Sequence, residues 1–188
     1  MRDLIAAVMA ERRVVQIWAE SSGGPLVLVA GKALNEWTGA DGDDYELACA
    51  AEDLALIPFG TDEMALVLWE EPARTTYLQR PRIFVQWVHA DPGCDVERVV
   101  SELGDVAWEQ GPAMDVGGPM VLLDAAVPGA EVQVNQARDT MDAQAISVEI
   151  EPGRYRLDSG EIRLDERTCF RCYRLVAVAE SGSGHAAS

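Results

Sequence analysis

The chain has 188 residues and 20.4 kDa, 48% hydrophobic residues, a mean hydropathy of -0.03 and a net charge of -17. That length suits one domain or two small ones, able to bury roughly two thirds of the unfolded surface. The charge argues against a nucleic-acid or anionic-membrane surface, which needs a Lys/Arg footprint. The longest apolar runs, such as Leu54 to Phe59 and Leu175 to Ala179, are far too short to cross a bilayer.

In chain order, Asp3 to Arg13 places Leu4, Ile5, Val8 and Met9 at helical spacing, which reads as a short amphipathic helix or an extension. It lacks the apolar stretch of a secretory signal, so export by that route is not expected. Val14 to Trp18 and Leu26 to Val29 read as strands, joined through Ser21, Ser22, Gly23, Gly24 and Pro25 as a tight loop or hairpin. Asp41, Gly42, Asp43 and Asp44 supply N-cap candidates for a helix over Tyr45 to Glu52, with Leu47, Ala48 and Ala51 on one face. Leu54 to Phe59, Met64 to Trp69, Thr75 to Leu78 and Arg82 to Val88 come next as strands, most economically an antiparallel meander.

After the turn at Asp91, Pro92 and Gly93 the second half begins with a helix over Val96 to Leu103. Its strand candidates are Val106 to Glu109, Pro119 to Leu123, Glu131 to Val134, Ile146 to Ile150, Arg154 to Leu157, Glu161 to Leu164 and Cys169 to Ala179, with turns at Pro152-Gly153 and Ser159-Gly160. Residues 181 to 188 read as a disordered tail. One short repeat joins the halves: Gly23 to Val29 matches Gly117 to Leu123 at an offset of 94, each copy after a tryptophan, Trp18 or Trp108.

The expected fold class is therefore α+β, mainly β: antiparallel sheets with a few short helices, and two similar halves if the repeat is a duplication. The organisation expected is an extension over 1–13, a β-rich half over 14–90, a second β-rich half over 91–180 packed on the first, and a tail over 181–188.

Few residues could carry chemistry. Cys169 and Cys172 have the C-x-x-C spacing of a redox pair or half a zinc site, but Cys49 and Cys94 are isolated and the motif lies on a predicted strand, not at a helix start. His89 and His185 are the only histidines, which makes a zinc hydrolase or a histidine-based nuclease hard to assemble. Ser21 and Ser22 lack a nucleophile elbow, and neither Gly-rich segment ends as a phosphate loop. No cofactor or metal is expected.

Asp41, Asp43, Asp44 and Glu46 put four carboxylates within six residues around Tyr45, without EF-hand spacing. They read either as helix-capping chemistry or as an acidic contact patch anchored by Tyr45, to which Asp62 and Glu63 of a later turn add charge. Trp18, Trp37, Trp69, Trp87 and Trp108 read chiefly as packing residues. The acidity spreads over both halves and would attract a basic protein partner. A single lysine, Lys32, against fourteen arginines reads as GC-rich, bacterial codon usage.

Between Val15 and Val88 the order Ile17-Trp18, Ser21 to Leu26, Trp37-Thr38-Gly39, Asp44-Tyr45, Ala48-Cys49, Ala65 to Leu68, Glu71-Pro72 and Thr75-Thr76 resembles the immunity protein 21 family of bacterial polymorphic-toxin systems. Leu122 to Ala126 and Pro128-Gly129 echo it in the second half, whereas Gln86 stands where the resemblance leads one to expect Arg. The resemblance implies a β-rich cytoplasmic protein without enzyme activity that binds one cognate toxin domain and blocks it. Trp18, Ser22, Gly23, Gly24, Pro25, Trp37 and Gly39 are then framework residues, with Asp41, Asp43, Asp44, Tyr45, Glu46, Asp62 and Glu63 as candidate toxin contacts. The competing readings are a regulatory or scaffold β domain with another protein partner, and a small cysteine-dependent redox or metal protein.

Overall fold

The computed structural model describes residues 16–68, 73–90, 96–136 and 142–178. The expected N-terminal helix, the C-terminal tail, Trp69, Cys94 and the Asp91 to Gly93 turn lie outside those residues.

The described chain is mainly β. In order come β1 (Trp18–Ala19), β2 (Leu26–Ala30), 3-10 turns at Gly31–Glu36 and Gly39–Asp41, α1 (Asp44–Ala50), β3 (Ala55–Phe59), β4 (Glu63–Leu68), β5 (Thr75–Leu78) and β6 (Ile83–His89). The second half adds α2 (Glu97–Glu102), a 3-10 turn at Leu103–Asp105, β7 (Glu109–Val116), β8 (Met120–Asp124), β9 (Asp142–Ala143), β10 (Ala145–Val148), β11 (Gly153–Asp165) and β12 (Thr168–Ala177). They form a seven-stranded sheet, β7-β11-β12-β6-β5-β1-β9, and a five-stranded sheet, β10-β8-β2-β4-β3. Every pairing between these strands is antiparallel except β1 with β9.

Three layers of apolar side chains account for the near-continuous hydrophobic strands, because a strand buried on both faces has no polar side to present. Leu26, Leu28, Leu66, Leu68, Met120 and Leu122 of the five-stranded sheet meet Phe84, Met114, Leu157, Tyr173 and Leu175 of the seven-stranded sheet. Val27, Val29, Val67, Val121 and Leu123 point the other way, under Ala33, Trp37 and Ala48 of the 3-10 turns and α1. On the far side of the seven-stranded sheet, Ile83, Val85, Ile162, Phe170 and Cys172 lie beneath Val96, Val99, Leu103 and Trp108. Each fully buried Leu, Val or Phe contributes about 1.5–3 kcal/mol.

Both sheets draw on both halves: β12 pairs with β6, and β8 with β2. The sequence repeat falls on the second of these joins. Its two copies are neighbours, Leu26 opposite Asp124, Leu28 opposite Leu122 and Ala30 opposite Met120. The repeat equates Leu28 with Leu122, so a local two-fold axis passes between them. The ends of the pair close alike, Gly31 N–H donating to Pro119 O at 2.9 Å and Ala125 N–H to Pro25 O at 3.1 Å. The segments after the two copies differ: 3-10 turns and α1 come after β2, and β9 after β8.

Five expectations change. The strand expected over Val106 to Glu109 begins only at Glu109, as β7, because Val106, Ala107 and Trp108 cross over Gly160. Ser21 to Pro25 is a corner between two sheets instead of a hairpin, since β1 pairs with β5 and β9 while β2 lies between β8 and β4. The meander is two hairpins, β3-β4 and β5-β6, in different sheets. Glu131 to Val134 forms a single bridge, Val134 to Ala145, because Asn135 turns to φ +57° and its own amide and carboxamide close the edge of β10 against Ala145 O and Ser147 N–H, both at 2.9 Å. Ser159-Gly160 is no turn, since β11 runs through it for 13 residues. Gly160 is instead where Val106, Ala107 and Trp108 cross too close for a Cβ.

Candidate functional site

The framework residues other than Trp18 converge on one corner, and Asp124 at the end of β8 is its centre. Asp124 is buried, and its carboxylate accepts from Ser22 N–H at 2.8 Å and from Ala126 N–H at 3.0 Å. Ser21 Oγ accepts from Gly24 N–H at 3.0 Å and donates to Gly24 O at 2.5 Å, closing the loop on itself. Beside it, Trp37 is fully buried and its indole N–H donates to Ala125 O at 3.1 Å. Ala40 N–H donates to Ala126 O at 3.0 Å, and Gly129 N–H to Trp37 O at 2.8 Å.

Two glycines of the framework have geometric reasons. Gly39 sits at φ +57°, where a Cβ would lie 2.7 Å from Ala126 O, Val127 C and Pro128 N. At Gly24 a Cβ would lie 2.7 Å from the ring of Tyr45, so the tyrosine of α1 rests on the bare backbone of the loop. The second-half echo, Leu122 to Ala126 with Pro128-Gly129, is thus the seat for the first-half motif. Trp18 takes no part here; it packs edge-on against Trp87, with Arg74 stacked over Trp87 at 4.1 Å.

The acidic residues separate into two groups. Asp44 is 8% exposed, and one of its carboxylate oxygens accepts both the backbone N–H and the hydroxyl of Thr38 at 2.7 Å. Asp43 occupies the N-cap position of α1 without a side-chain cap bond, so the capping expected of this cluster becomes a backward clamp from Asp44. Asp41, Asp43 and Glu46 are exposed, and Tyr45 is half-buried. Its hydroxyl pKa is raised by hydrogen bonding to Cys49 and, less, by the nearby Asp124 charge. Leu47 is 44% exposed and does not share the buried face with Ala48, because α1 is only seven residues long and buries one turn.

Asp62 and Glu63 stand on the β3-β4 turn, which the 3-10 segment before α1 holds in place. Glu36 accepts from Thr61 N–H at 2.7 Å, and Lys32 pairs with Glu63 at 2.6 Å. Asp62 is exposed at φ +60°. Residues 16–68 carry ten carboxylates against one base, Lys32. No described residue forms an ion pair with Asp41, Asp43, Glu46 or Asp62.

The two cysteines of the C-x-x-C motif are buried. Burial pushes the Cys172 thiol up to about 12; burial together with a hydrogen bond to Glu161 pushes Cys169 up to about 11. Both are free thiols and neither is poised as a thiolate. Among the described residues no three His, Cys, Asp or Glu side chains converge to hold a metal ion, and no helix is long and apolar enough to cross a membrane. Gln86, at the position where Arg was expected, is buried and accepts the Tyr173 hydroxyl at 2.9 Å.

A two-sheet β scaffold with one corner tied across its halves, and acids displayed beyond that corner, is the class of protein these features define. The family model for immunity protein 21 matches residues 17–168, and the chain belongs to that family. No curated protein and no solved structure matches it. Asp124 was legible in the sequence only as part of the echo; no local signal marks an Asp at a strand end as a clamp for a loop 102 residues away.

Proposed function

We propose that this immunity protein neutralises a cognate polymorphic-toxin domain in the bacterial cytoplasm by occlusion, docking an acidic surface on a basic toxin face. The observation that carries the reading is the charge of residues 16–68 together with the accessibility of Asp41, Asp43, Glu46 and Asp62, which no described cation neutralises. Tyr45, half-buried among them, and the exposed Leu47 supply apolar area inside a charged rim, the usual anatomy of an interface. Unpaired carboxylates held on a braced backbone favour rapid electrostatic encounter, and desolvation on docking strengthens them against arginines or lysines of the partner. Asp44 and Glu63 act within the scaffold, one clamped to Thr38 and the other paired to Lys32.

Occlusion needs no chemistry from the inhibitor. Replacing both Cys169 and Cys172 by alanine leaves protection intact in cells where the variant folds, and loss of protection by a folded variant would restore the cysteine-dependent reading. The principal test is co-expression with the toxin domain encoded immediately upstream. Growth rescue with a co-purifying complex is expected; rescue without a complex would sink binding as the mechanism.

A further inference from the structure

The β2-β8 pair has two ends with the same backbone closure, related by the local axis between Leu28 and Leu122. At one end the chain has Asp124; the axis brings Ala30 to the equivalent position at the other. The Gly31 end is closed by its backbone bond to Pro119 O. Only at the Asp124 end does a carboxylate reach out of the strand, to Ser22 N–H and Ala126 N–H at once. Those two amides belong to the Ser21 to Gly24 loop, which carries the Tyr45 ring of α1, and to the Ala125 to Gly129 segment, which seats the 3-10 turns leading into α1 by accepting Trp37, closing on Gly39 and bonding Ala40.

We infer that Asp124 is the positioning residue of the toxin-contact surface, fixing where Tyr45 and α1 stand without touching the partner. The inference rests on the proposed role of α1 in bearing the contact. A buried carboxylate that accepts two backbone amides is a stiff link, because charge-assisted bonds are short and their loss leaves both donors unsatisfied. Surface acids govern encounter, so their loss slows association and flattens its salt dependence. A positioning residue governs the fit of the formed complex, so its loss speeds dissociation and leaves that salt dependence alone.

Asp124→Asn tests this, since the carboxamide turns an NH2 toward one of the two amide donors it must accept. Expected are loss of hydrogen-exchange protection at the Leu47 amide of α1, dissociation from the toxin faster by about tenfold, and a salt slope of association changed by no more than the one charge removed. Gly24→Ala reaches the same end from the other side by pushing the Tyr45 ring, and carries the test if Asp124→Asn does not fold. An Ile162→Val or Ile162→Ala variant, on the far face of the seven-stranded sheet and matched in stability, should alter neither readout. Equal acceleration in the matched variant, or retained Leu47 protection and dissociation rate in Asp124→Asn, overturns the inference. Should the wild-type chain fail to bind the toxin, the occlusion reading falls instead, and exchange at Leu47 still decides whether Asp124 positions α1.

Discussion

The cover of the five-stranded sheet and the outer strands of the seven-stranded sheet treat charge in opposite ways. Over the first, Asp41, Asp43, Glu46 and Asp62 stand open to solvent with no described cation paired to them. On the second, arginines are matched in place: Arg154 with Asp115 at 2.8 Å, Arg163 with Glu161 at 3.1 Å, and Arg156 and Arg174 both with Asp158, at 2.5 and 3.0 Å. Arg174 also stacks on Trp108 at 4.4 Å. Charge balanced within a surface builds the fold, whereas charge left unbalanced is available to a partner. That difference, and not the total of -17, locates the proposed interface.

The largest effect that sharpens the contrast is at Asp158, whose side chain is fully buried. Asp158→Ala leaves the partly exposed Arg156 and Arg174 guanidiniums without their shared carboxylate and should cost about 1.5–3 kcal/mol, read as a lowered denaturant midpoint. The paired charges also set a pH dependence. The Arg156 hydrogen bond, then that of Arg174, holds the Asp158 carboxyl below its ordinary value against the opposing effect of burial. Its contribution is therefore present above the unfolded pKa, about 3.9, and is lost as pH falls through the lower folded value. An acid-unfolding series should show that loss in the wild type and lack it in Asp158→Asn. An identical acid limb in both would mean the trio contributes nothing.

Next in size is the unbalanced surface. Converting Asp41, Asp43, Glu46 and Asp62 to their amides should leave the unfolding midpoint nearly unchanged, since these side chains reach solvent and form no described ion pair. Association with the toxin at low salt should slow by about ten- to a hundredfold, and most of its salt dependence should vanish. Stopped-flow rates over an ionic-strength series measure this. A full salt slope surviving all four substitutions would move the interface elsewhere.

How much of this the sequence could show depends on the range of each interaction. Strand identity was legible where side chains alone decide it, as in Leu26 to Val29, Thr75 to Leu78 and Pro119 to Leu123, because branched runs and flanking Gly and Pro are local signals. Sheet membership was not, since β3-β4 and β5-β6 look alike as hairpins and differ only in which distant strand they join. Gly160 read as a turn because a glycine needed for close approach and one needed for a bend look the same in one dimension. The acids around Tyr45 were found as a cluster, but separating Asp44 from its neighbours required knowing that Thr38 folds back onto it. The Ser22 to Gly39 motif was recognised through family resemblance, and its partner at Asp124 to Gly129 was seen only as an echo, since the contact between them spans the chain.

Lys32 gives the smallest effect and the sharpest sign. It is the one base of residues 16–68, and its ammonium meets Glu63 at 2.6 Å on a side chain that is 70% exposed. Hydrogen bonding to Glu63, then its charge, raises the lysine pKa, yet solvent screens the pair so heavily that Lys32→Ala should leave the unfolding midpoint where it was. If the pair merely balanced the fold, as the arginine pairs do across the molecule, nothing else would change. On the proposed surface, however, removing Lys32 frees Glu63 and makes the acidic face more negative by one charge. Association with a basic toxin should then accelerate, by less than about threefold at low salt, and the gain should disappear as ionic strength shortens the screening length. A slower association would place Lys32 in direct contact with an acid of the partner and reverse the assumed polarity of the docked faces.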